Sequence, residues 1–104
     1  MTKFSLLNKL IVQEGKNEEM MDILLEAAES MKDLADCEIY LVNIDENEQN
    51  SVYVYEVWSD ESAHQASLGL EVTQTLISRA KPIITSMERI VSLKTIGGKG
   101  IASN

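Results

Sequence analysis

The sequence has one cysteine, one histidine, one tryptophan and nine basic residues among 104, and each scarcity closes a class of function. Cys37 cannot make an internal disulfide and has no companion at metal-ligand spacing. It is expected to be a buried structural thiol, since free cysteine packs as a small apolar residue. Nine Lys and Arg stand against 17 Asp and Glu, a net charge of −8, so the clustered positive charge that nucleic acids and anionic membranes require is missing. No apolar run approaches the roughly 20 residues of a membrane helix. No basic segment leads into an apolar one at the start, and a soluble cytoplasmic protein without nucleic-acid or membrane partners is expected. Gly-rich phosphate loops, metal clusters and Ser-His-Asp patterns are also missing from the sequence, so no metal site is expected.

What is present suits one domain over residues 1–104, because a chain this short cannot divide into two well-buried cores. "KFSLLNKLIVQEG" is β-rich and closes at Gly15; strand alternation puts Phe4, Leu6, Asn8, Leu10 and Val12 on one face, so Asn8 interrupts an apolar row. Helical spacing follows, with Asn17 placed to cap, Glu18 and Glu19 at the positive helix end, and Met20, Leu24, Ala27, Ala28 and Met31 as a core stripe. "CEIYLVNI" and "SVYVYEVW" are two further strands, joined through the turn residues "DENEQN". After Trp58, Ser59 can cap a short helix with Asp60 and Glu61 in its first turn. Helical spacing resumes through Val72, Leu76 and Ala80, and Pro82 ends or kinks it. "RIVSLKTI" is a last strand, and a flexible tail is expected from about residue 97.

The order β-α-β-β-α-β, its second helix broken near Gly69, predicts a ferredoxin-like α+β fold with two helices over one face of a four-stranded antiparallel sheet. Leu7, Ile11, Tyr53, Tyr55 and Val57 have the opposite parity and would leave apolar area on the uncovered face, which homodimerisation would bury.

Asn8 in "LLNKLIVQEGK", Trp58 in "YEVWSDESAH" and this element order resemble the antibiotic biosynthesis monooxygenase superfamily over nearly the whole chain. "EVWSDESAHQASL" is the most specific segment and is similar to the quinol monooxygenase branch. The resemblance implies a dimeric α+β barrel that oxidises a small aromatic hydroquinone or phenol with O2, without a cofactor. It also implies a pocket in which Asn8, Trp58 and His64 carry the chemistry and Leu6, Leu10, Leu68 and Leu76 complete the lining. A second branch degrades haem with an Asn, a Trp and a His; Asn8 and Trp58 fall on its first two positions. Its His comes later in the helix, where this chain has Ser67 and Leu68. A non-catalytic dimeric binding module is the reading from a different class, since one fold hosts many functions.

Each candidate also has a plain structural role to be weighed. A lone histidine is commonly a half-exposed helix residue, yet a neutral imidazole is the chain's best acceptor for a phenolic proton near neutral pH. The Asn8 amide either bonds backbone or addresses a substrate oxygen. Trp58 is a packing residue or a stacking wall. Tyr40, Tyr53 and Tyr55 read as structural, and Arg79 or Arg89 could attract an anionic substrate.

Overall fold

The computed structural model describes residues 2–101. Four strands, β1 (Lys3–Val12), β2 (Cys37–Asn43), β3 (Ser51–Trp58) and β4 (Ile84–Thr95), form one sheet in the order β2-β3-β1-β4, antiparallel throughout. Helix α1 (Asn17–Ser30) and a following 3-10 turn (Met31–Asp33) connect β1 to β2, while α2 (Glu61–Ser67) and α3 (Glu71–Ala80) connect β3 to β4. This is a ferredoxin-like α+β arrangement whose second helix is interrupted around Gly69. No helix among the described residues is long and apolar enough to cross a membrane.

The register of β1 against β3 sets the inner face. Phe4 pairs with Trp58, Leu6 with Glu56, Asn8 with Val54 and Leu10 with Val52, so alternate residues of both strands point to the helices. Leu10, Val12, Val52 and Val54 meet Met20, Ile23 and Leu24 of α1 in the larger core, closed by Ala80 and Ile83. Leu6, Met31 and Trp58 form a smaller one. Ala28, expected in the α1 stripe, is only partly buried, and Ile23 takes its place. Gly15 turns the chain into α1 at φ +80°, a conformation that costs glycine little.

Local chemistry departs from expectation at three points. Lys16 occupies the N-cap of α1 without a side-chain bond, and Asn17 is already helical. At α2 the cap is Asp60, whose Oδ1 accepts the Ala63 N–H at 2.7 Å, while the Ser59 N–H donates to the Asp36 carbonyl at 2.8 Å. β4 starts at Ile84, well before the "RIVSLKTI" segment, because two irregularities hide its alternation. Leu7 pairs with Val91 but Asn8 with Arg89, which leaves Ile90 without an opposite; Ile11 pairs with Ser86 but Val12 with Ile84, which does the same to Thr85.

No helix among the described residues covers the outer face. Leu7, Ile11, Tyr53 and Tyr55 are partly buried there, and Leu41, Val91 and Leu93 are 52%, 37% and 49% exposed. Val57 departs from the expectation: it is 1% exposed, held at the middle of the sheet between Ser5 and Ile39. Beyond Thr95 residues 97–101 carry turns and bends only; the rest of the expected tail, Ala102–Asn104, lies outside the described residues.

Candidate active site

Between the inner sheet face and α2 and α3 lies a cavity of about 700 Å³, inside the range of small-molecule sites. Leu10 and Val54 from the sheet, Met20 and Leu24 from α1, and Leu76 from α3 give it apolar walls, and Leu68 stands beside them, 43% exposed. Asn8, Tyr40, Glu56, His64, Thr73 and Arg89 supply polar atoms. The fold thus brings Asn8, Trp58, His64, Leu10, Leu68 and Leu76 to one cavity. Leu6 does not join them: it is wholly buried in the small core with Met31 and Trp58.

His64 enters from α2, which Asp60 starts so that the imidazole turns inward one turn later. Its ring centroid lies 5.6 Å from those of both Phe4 and Trp58, edge-on to the indole. The residue is 7% exposed and its Nδ1 is buried without a hydrogen-bond partner among the described residues. Such an atom is costly, by about 1–3 kcal/mol. Burial, and secondarily the charge of Arg89, pulls the imidazole below its usual range, so the neutral, proton-accepting form is favoured. Thr73 Oγ1 is a second buried atom without a partner on the same cavity wall.

Trp58 ends β3 at 2% exposure, and its Nε1–H donates to Glu56 Oε1 at 2.9 Å. Glu56 is two residues earlier on the same strand face, and the apolar surroundings raise its carboxyl above the ordinary carboxylate value despite the indole bond. Sequence reasoning passed over Glu56. The signal was available, since Glu56 shares the inward parity of Val52, Val54 and Trp58 in "SVYVYEVW". Tyr40 pairs with Glu56 from β2 and also lines the cavity. Burial first, then the negative charge of Glu56, pushes its phenol up, so it stays a neutral hydroxyl. Cys37 is half-buried rather than fully buried, and the same two causes push its thiol up to about 11, which keeps it an inert thiol.

Asn8 reaches the cavity from the central strand, and its amide makes no hydrogen bond among the described residues. Arg89 stands opposite Asn8 because Ile90 is bulged out; without the bulge Ile90 would hold that inward position. Arg89 has no ion pair among the described residues, whereas Arg79 is bound to Glu26 of α1 at 2.5 Å and is no part of the site. In the helical turn after His64, the Ser67 hydroxyl donates to the His64 carbonyl at 2.6 Å and Leu68 is apolar. Neither gives an iron an axial nitrogen, so haem ligation from that turn does not fit this chain.

A helix-backed antiparallel sheet with an apolar cavity and a few converging polar groups is a ferredoxin-like domain with a candidate small-molecule site. Residues 4–78 match the family described as antibiotic biosynthesis monooxygenase, and the chain belongs to that family. A solved structure of a provisionally named antibiotic biosynthesis monooxygenase from Chloroflexus aurantiacus is 28% identical, superposes with a TM-score of 0.86, and the match covers 96% of this chain and 99% of that one. A similarly named Caulobacter crescentus protein shares 18% identity at a TM-score of 0.83, with 91% of each chain covered. A Nitrosomonas europaea protein of unknown function shares 19% identity at 0.81, covering 99% and 98%; at such identities the likeness concerns the fold alone. No curated protein matches the chain.

Proposed function

We propose that this protein is a monooxygenase that oxidises a small aromatic hydroquinone or phenol with O2, the substrate supplying all the electrons. The observation that carries the reading is His64, the chain's one imidazole, held neutral by burial in the wall of an apolar cavity of about 700 Å³ that Asn8 and Arg89 also line. His64 takes a phenolic proton, which turns the ring into a strong electron donor. The phenolate gives one electron to O2, and the resulting pair joins at the adjacent ring carbon, forming a C–O bond. The imidazolium returns its proton to the distal peroxide oxygen. The ring C–H proton then leaves as the O–O bond breaks, the distal oxygen departs as water, and a ring carbonyl remains. Hydroquinone plus O2 thus gives hydroxyquinone plus water, with no external reductant.

The Asn8 amide supplies a donor for the developing peroxide, Trp58 forms a flat wall for the ring, and Arg89 favours the phenolate. The same reading includes a homodimer. It is supported by the uncovered outer face and by β4, an edge strand of 12 residues whose Met87, Ile90, Val91 and Leu93 are 66%, 44%, 37% and 49% exposed. An oxygen electrode in chelator-treated buffer, with a panel of hydroquinones and the autoxidation rate subtracted, tests the activity. One O2 consumed per quinol without peroxide release is expected. Uptake equal to the protein-free rate would refute turnover, and ring binding without uptake would make the protein a binding module.

A further inference from the structure

Tyr40, Glu56 and Thr73 line the cavity without a part in the chemistry above. Glu56 is 8% exposed and lies on β3 between Leu6 of β1 and Tyr40 of β2. Among the described residues its carboxyl receives a single hydrogen bond, from the Trp58 indole, and no cation within ion-pair distance. An ionised carboxylate offers about four acceptor positions. Leaving most of them empty in apolar surroundings is costly, and the residue lines a cavity that can deliver a donor. The indole that bonds Glu56 also meets the His64 ring edge-on at 5.6 Å, so the two acceptors flank one flat wall.

We propose that Glu56 is a specificity-determining residue that receives a second hydroxyl of the ring substrate and so selects dihydroxyarenes over monophenols. The proposal rests on the ring-binding reading of the cavity. The first hydroxyl goes to His64 and the second to Glu56, while Tyr40 and Cys37, both held protonated, cannot replace the carboxylate as an anionic acceptor. Trp58 has a positioning role: its N–H occupies one carboxylate oxygen and fixes the plane of the group.

Trp58 is the chain's only tryptophan, so its emission reports binding under anaerobic conditions without turnover. Hydroquinone and 4-methoxyphenol share one hydroxyl and differ in whether the far oxygen can donate. Wild-type protein should prefer hydroquinone by roughly ten- to a hundredfold, the scale of a hydrogen bond to a charged group. In Glu56→Gln the amide oxygen can keep the indole bond while the NH2 faces the ligand as a donor, and the preference should invert toward the ether. An unchanged preference in Glu56→Gln, or equal wild-type affinities, would overturn the proposal and leave ring binding intact. Binding of neither probe would overturn ring binding as well.

The wild-type protein supplies the same test by pH, should Glu56→Gln fail to fold. As pH falls through the raised value of Glu56, the carboxyl becomes a donor and the preference for hydroquinone should decay. Of the groups facing it, Tyr40 and Cys37 from β2 stay protonated and Arg89 from β4 keeps a fixed charge. His64 from α2 gains a proton in acid, but it meets the hydroxyl common to both ligands and cancels from the ratio. A preference that stays constant between neutral pH and about pH 4, below the ordinary carboxylate value, would overturn the proposal.

Discussion

Replacing His64 with leucine separates a working histidine from a packing one, because the two readings predict opposite signs for stability. Leucine has nearly the same volume and can remain between Phe4 and Trp58. The substitution removes a buried nitrogen without a partner, a gain of about 1–3 kcal/mol. It also forfeits two ring contacts at 5.6 Å, about 0.5–1.5 kcal/mol each, and replaces them with apolar burial. The balance is a variant about 1 kcal/mol more stable than wild type near neutral pH. Urea unfolding reads this as a midpoint roughly 0.5–1 M higher at unchanged slope.

Acid should widen the gap. The folded imidazole titrates below its unfolded value, so as pH falls below about 6.5 the unfolded wild-type chain binds a proton that the folded one resists. Wild type therefore loses stability there, and His64→Leu does not. Glu56 works in the other direction, its raised carboxyl removing stability as pH rises through its folded value, but both proteins carry it and it cancels. Turnover of a quinol should meanwhile fall by about 10²–10⁴, and the deficit should shrink at high pH, where the substrate ionises unaided. A variant destabilised by 2 kcal/mol, or a gap that closes in acid, would refute the description of His64 as an unsatisfied, neutral acceptor.

Asn8→Ala should lower turnover with a deficit flat in pH, since an amide donor to peroxide is needed however the proton leaves; a deficit that vanished at high pH would assign Asn8 to proton transfer instead. Tyr55→Asp places a charge on the outer face between Leu7 and Leu41 and should convert a sedimenting dimer to monomer or unfold it, whereas a dimer of unchanged stability would remove that face from the interface. Asp60→Ala loses the bond to the Ala63 N–H and should cost about 1 kcal/mol in urea unfolding. Because the cap also sets the start of α2, quinol affinity should fall with it, and an unchanged affinity would uncouple cap from site.

Period-two alternation in β1 and β3 made the inner face legible, and with it the placing of Asn8 and Trp58, because the ladder between those strands runs without a break from Phe4 to Ile11. It failed in β4, where Thr85 and Ile90 each add a residue and reverse the parity. Since Arg89 faces inward only through that bulge, no strand pattern could assign it to the cavity. Glu56 was passed over for another reason: a charged residue in a strand draws no notice as a core position, and only its parity marks it as inward-facing. Leu6 matched the apolar requirement of a lining residue, but pattern cannot tell the wall of a cavity from the core behind it. Cap chemistry at Ser59 and Asp60 was ambiguous because both side chains can accept, and the chain chose by bonding the Ser59 backbone to Asp36.

β4 contributes Ser86, Met87 and Arg89 to the cavity while its other edge has no neighbouring strand among the described residues. Occupancy of the cavity and of that edge therefore act on one mechanical element. If a second chain adds to the edge, thermodynamic reciprocity requires that any factor by which it tightens ring binding is the factor by which the ring tightens association. Specific activity would then rise with protein concentration before levelling off, and saturating substrate would move that rise to lower concentration, so dilution becomes a variable of the enzyme rather than of the assay.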